Sequence, residues 1–159
     1  MEKGPFDVTL PSMTAKIAPK SYALNALEVA KDDLCRDKNL IPVAFVVTDD
    51  GVADFNLTFD GYEQKLSVYA ELVRVAREKN ARAIITINDS TVTSAAGTLG
   101  EELRKECIYL TISGPNFQTW SLLVPYRRVG QEIVFEKATE STDDVLNLLP
   151  GWTRDSAAS

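Results

Sequence analysis

No histidine occurs in this 159-residue sequence. That absence removes Ser-His-Asp and Cys-His nucleophile activation, imidazole general bases and zinc sites built on His ligands. Any catalysis would have to run on carboxylates, lysine, tyrosine or threonine. Cysteine is nearly as scarce: Cys35 and Cys107 lie far apart, and neither belongs to a CxxC unit, so zinc-ribbon and thioredoxin-like chemistry is not encoded. Two isolated thiols without a disulfide-dense pattern point to a reducing, cytoplasmic setting. The sequence also lacks GxxxxGK[ST] and GxGxxG, so no phosphate-cradling loop is visible. No apolar signal core follows Met1, and no apolar run reaches membrane-spanning length; no membrane association is expected. Positive charge is in deficit, with 17 Lys and Arg against 23 Asp and Glu. The net charge of −6 disfavours a nucleic-acid partner, which would need a basic stripe to meet phosphates. Neither a cofactor nor a metal is expected.

What the sequence does contain is organised around residues 60 to 88. Asp60-Gly61-Tyr62-Glu63 reads as an acidic capping box, with Asp60 as N-cap and Glu63 as its partner. Tyr62, Leu66, Tyr69, Val73 and Ala76 then recur at helical spacing, widened by Val68, Leu72 and Val75. Glu63, Ser67, Glu71, Arg74 and Glu78 fall on the opposite face. Such a broad apolar arc predicts a helix lying across a sheet. Asn80 suits a left-handed helix stop. Ala83 to Ile87 is short, apolar and rich in β-branched residues, as a central strand should be.

Around this core the chain reads in order. Residues 1–19 form an irregular arm interrupted by Pro5, Pro11 and Pro19. Residues 20–152 form a single domain, and 153–159 a frayed tail. Ala23, Leu24, Leu27, Ala30, Leu34 and Cys35 predict a first helix over about 20 to 38. Residues 41–48 predict a buried strand, Asp49-Asp50-Gly51 a hairpin turn, and 52–59 a returning strand. That strand sets Ala53, Phe55, Leu57 and Phe59 on one side and Asp54, Asn56 and Thr58 on the other. Residues 88–98 are small, polar and hydroxyl-rich, which reads as a mobile loop, and 99–105 as a helical turn. Strands follow at 107–113, 117–124 and 132–136, with a turn at Arg127 to Gly130, then a short helix over 145–149 and Trp152 packing back. The result is an α+β fold: one mostly antiparallel sheet of about five or six strands with helices packed on it, in the order α-β-β-α-β-β-β-β-α. This element order resembles the roadblock and profilin-like arrangements at the level of topology, a likeness that transfers no functional residue.

Two constellations carry chemical interest. Asp54 with Glu63-Gln64-Lys65 resembles the core of metal-dependent nucleases, in which two acids hold Mg²⁺ and a lysine stabilises the attacking water. The plainer account makes Glu63 a cap partner and lets the Lys65 stem pack while its ammonium reaches water. The second is Asn88-Asp89-Ser90-Thr91 at the exit of the central strand, a place where ligands bind in α/β sheets. Its plainer account is a turn using local side-chain hydrogen bonds. Lys65, Tyr69, Asp54, Asp89 and Ser90 are therefore the candidate binding residues, with no catalytic set assigned. The expected function is a non-enzymatic cytoplasmic interaction domain whose partner is a protein, itself or another. The alternative is a small hydrolase dependent on carboxylate and lysine, with a Mg²⁺-dependent form as its nuclease-like variant.

Overall fold

The computed structural model describes residues 18–57, 59–96, 101–142, 149 and 152. Helix α1 (Pro19–Asp37) begins with Pro at its first position, where a missing N–H costs nothing. It ends at Lys38 in the left-handed conformation (φ 61°), one residue before the expected Asn39. Strands β1 (Val43–Val47) and β2 (Val52–Asn56) form the expected antiparallel hairpin. Thr48 and Gly51 close it, the Thr48 N–H donating to the Gly51 carbonyl at 2.8 Å. Helix α2 (Tyr62–Glu78) follows, with Asn80 left-handed (φ 54°) just beyond it, as expected.

The start of α2 differs from the expected capping box. Gly61, not Asp60, is the N-cap, and no side chain caps the helix. The Asp60 backbone N–H donates to the Gln64 side chain, so Gln64 takes the part assigned to Glu63. Gly61 holds φ 94° and ψ 168°, a region costly for any residue with a Cβ, and open space surrounds the position. Gly61→Ala is therefore expected to cost about 1–3 kcal/mol from backbone strain alone. Urea unfolding checks this; a loss below half a kcal/mol would mean the turn relaxes.

The larger difference lies after Ile87. The chain does not loop out. Strand β3 runs Ala83–Ala96 and pairs along its length with β4 (Glu101–Gly114). Residues 88–96 and 101–105, read as parts of a loop and a helical turn, lie instead in the two arms of this ladder. Strand β5 (Phe117–Val129) is also longer than expected, taking in Arg127 and Arg128, and the turn falls at Gly130-Gln131. Strands β6 (Glu132–Phe135) and β7 (Thr139–Ser141) both pair with β5. The helix expected over 145–149 lies almost wholly outside the described residues, as do the arm up to residue 17 and the tail from 153. Trp152 is buried against the body, as expected.

All pairings are antiparallel, giving a seven-stranded sheet of order β2-β1-β3-β4-β5-β6, with β7 beside β5. Strands β2 and β3 both run against β1, so α2 joins them by crossing over β1. The centre of the sheet is buried on both faces. Ala23, Leu27, Ala30 and Leu34 of α1 pack with Val47, Ala83, Ile85, Ile87, Leu110 and Val124. Tyr69, Leu72, Val73 and Ala76 of α2 pack with Ala44, Val46, Leu57 and Ile84 on the other face. The buried arc of α2 begins later than expected: Tyr69, Leu72, Val73 and Ala76 are in the core, whereas Tyr62 and Leu66 in the first turns remain 66% and 41% exposed. No helix among the described residues is long and apolar enough to cross a membrane.

Candidate functional site

Because side chains alternate along a strand, the registers assign every candidate residue to a face. Asp54 pairs with Phe45, which packs in the α1 core, so Asp54 lies on the α1 side. Asp89 is two residues beyond Ile87 and shares that side. Tyr69, Asn88 and Ser90 belong to the α2 side, and Lys65 projects there, its Nζ 5.6 Å from the Phe59 ring centroid and 6.0 Å from that of Tyr69. The candidates therefore form two groups divided by the sheet.

On the α2 side, Lys65 is half-buried and held over two aromatic faces, which accounts for a cation inside the apolar arc. The buried Tyr69 hydroxyl donates to Asn88 Oδ1 at 3.2 Å. Burial pushes the Tyr69 phenol above its ordinary range, with the Asn88 hydrogen bond opposing. Asn88 stands opposite Tyr109, whose hydroxyl is 3.3 Å from Ser121 Oγ. Thr86, Ser113, Thr119 and Ser121 are buried on this same side, an alternating band of neutral hydroxyls across β3, β4 and β5. Ser90 stands opposite Cys107, whose thiol burial pushes up and away from nucleophilic thiolate character. On this side lie Lys65, the hydroxyl band and the Asn88 amide, and among the described residues no carboxylate forms an ion pair with Lys65.

On the α1 side the acids do meet. The Tyr126 hydroxyl donates to Asp89 Oδ1 at 2.9 Å and lies 3.4 Å from Glu106 Oε1. Arg128 forks onto Glu106, Nε to Oε2 at 2.7 Å and Nη2 to Oε1 at 3.1 Å, and its Nη1 donates to the Lys38 carbonyl at 3.1 Å. That last bond ties β5 to the end of α1. Arg128 holds the Glu106 carboxyl below its usual range. Asp89 is exposed as a residue, but partial burial of its carboxyl outweighs the Tyr126 hydrogen bond and pushes it up, and the Glu106 charge adds to the rise. Tyr126 is itself pushed well up by burial and by the adjoining acids, so it remains a neutral donor. Asp54 is apart from this cluster. It lies near Tyr22, whose phenol is pushed up to about 12, first by burial and then by the Asp54 charge.

The Asp89 shift carries a pH signature. The folded chain holds this proton more tightly than the unfolded one, whose carboxyl titrates near 3.8. Stability from this group is thus greatest in acid and is lost as pH rises through the raised value. Asp89→Asn keeps an oxygen for Tyr126 and removes the charge. The variant is expected to resist urea slightly better than the parent at pH 7, the gain being small because Asp89 is exposed and solvent screens its charge, with the difference closing below about pH 4. Equal midpoints at both pH values would remove the burial cost assigned to Asp89.

Glu106, Tyr126 and Arg128 were not among the sequence candidates. The parity that sets Trp120, Leu122 and Val124 on one face continues through Tyr126 to Arg128, so the signal existed, but the turn expected from Arg127 hid it. Among the described residues, no three His, Cys, Asp or Glu side chains gather as a metal site. No protein-family model, curated protein or solved structure matches this chain.

Proposed function

We propose that this chain is a non-enzymatic interaction domain of a reducing, cytoplasmic compartment, with a protein as its partner. The observation that supports this reading is the division of Lys65 from Asp54 and Asp89 by the full thickness of the sheet. A carboxylate-and-lysine hydrolase needs those groups within hydrogen-bond reach of one substrate. The acids that do converge, Asp89 and Glu106, are engaged by Tyr126 and Arg128. Their opposed shifts follow from burial and ion pairing, which serve structure as well as chemistry.

Size-exclusion chromatography with light scattering, run beside affinity capture from a cell extract, tests the reading. Self-association or a reproducible stoichiometric partner is the expected result. A strict monomer that captures nothing would overturn it. Titration calorimetry with Mg²⁺ and Mn²⁺ tests the hydrolase alternative, for which specific binding heat abolished by Asp54→Asn or Asp89→Asn would be required.

A further inference from the structure

The sheet ends at β2, and no described strand lies beyond it. The other edge is different, since β6 and β7 both cover β5. Which backbone groups β2 leaves open follows from its hairpin. In an antiparallel ladder, hydrogen-bonded and non-hydrogen-bonded pairs alternate. The Thr48 N–H donates to Gly51, and the Leu57 N–H donates to Pro42 at 2.9 Å. Ala53 and Phe55 share the parity of Gly51 and Leu57, so their N–H and C=O groups turn inward to β1. Those of Val52, Asp54 and Asn56 turn outward.

The side chains of this edge are sorted as well. Asp54 stands on the α1 side and is exposed, while Phe55 is half-buried on the α2 side. Asp50 and Asp60 are exposed at either end of the segment. At the turn, Arg82 is engaged by Asp49 at 3.4 Å, and no described Lys or Arg forms an ion pair with Asp54. A second copy of this chain fits the edge poorly. The two-fold pairing with greatest overlap sets Val52 opposite Asn56 and Asp54 opposite Asp54, and like charges directly opposed are destabilising. Charge in this position guards an edge against its own copies while leaving it open to a strand of opposite sign.

Resting on the interaction-domain reading, we infer that the β2 edge accepts an extended segment of a different protein, added as an antiparallel or parallel strand. That segment carries a Lys or Arg beside Asp54 and flanking apolar residues on the face of Ala53 and Phe55. Main-chain hydrogen bonds to Val52, Asp54 and Asn56 supply the affinity, and the alternate side chains supply selectivity.

The test is amide hydrogen exchange and chemical-shift titration on the full chain. The probe is the blocked peptide Thr-Val-Lys-Val-Thr, with Thr-Val-Glu-Val-Thr as its control. The lysine peptide is expected to bind about tenfold more tightly, as replacing an attractive cross-strand pair by a repulsive one implies. It should slow exchange at Val52, Asp54 and Asn56 while leaving the already bonded Ala53 and Phe55 unchanged. Asp54→Lys, at an exposed position, should reverse the preference. Equal binding of both peptides, or protection without this alternation, overturns the inference. Peptide shifts confined to the outer faces of α1 or α2 overturn the edge assignment, as does a lack of peptide binding by a chain that still captures a protein partner; both leave the interaction-domain reading standing. Slow exchange at Val52, Asp54 and Asn56 in the free chain also overturns it. A dependence on concentration would then identify a second copy as the cover, and independence a segment of the same chain.

Discussion

Tyr126→Ala is expected to lower the unfolding free energy by about 3–5 kcal/mol, the loss typical of a buried aromatic ring. The residue is 1% exposed. Its ring meets Phe135 edge-on at 6.2 Å and lies 5.8 Å from the Arg128 guanidinium carbon. Truncation removes this packing and the donor shared by Asp89 and Glu106. Tyr126→Phe separates the two effects. It keeps the ring and is expected to cost about 1 kcal/mol, because water can reach the acids and replace the lost donor. The cost should also depend on pH. The Tyr126 hydrogen bond favours the charged form of Asp89, so its loss is felt when that carboxylate is ionised and fades when it is protonated. Urea unfolding of both variants at pH 7 and pH 4 checks this. If the phenylalanine variant lost as much as the alanine variant, the hydroxyl network rather than the ring would hold this end of the sheet.

The elements legible in the sequence are those whose signal is local. Helix α2 announces itself by apolar recurrence from Tyr69 to Ala76, and the first hairpin by Asp49-Asp50-Gly51. The continuation of β3 past Ile87 has no such signal. Asn88 to Ala96 is polar and small, and becomes strand because Glu101 to Tyr109 pairs with it. Strand preference of this kind is set by the partner more than by the residues themselves. The same long-range pairing hid the tyrosine–acid cluster, since Asp89, Glu106 and Tyr126 meet only once three strands align. The alternation in β2 was readable, but not which helix its polar row would share a side with. That missing assignment made Asp54 and Lys65 look like neighbours.

The two-sided burial of β3 leads to the second large effect. Ile84 and Ile85 are adjacent in sequence, fully buried, and belong to different cores: Ile84 packs on the α2 side and Ile85 on the α1 side. Ile84→Ala and Ile85→Ala should each cost about 2–5 kcal/mol. Their side chains belong to separate clusters but share one stretch of backbone, so the double variant should lose close to the sum, and a departure of more than about 0.5 kcal/mol would report coupling through that backbone. In a sheet with one wet face, one of the two substitutions would be nearly silent, at about half a kcal/mol or less. Denaturant unfolding of the two single variants and the double variant distinguishes these cases. A silent Ile84→Ala would mean that α2 does not cover β3, and with it the separation of Lys65 from the acids would fall. Two large losses would instead require burial on each face, the cover that α1 and α2 supply here with the sheet standing between Lys65 and Asp89.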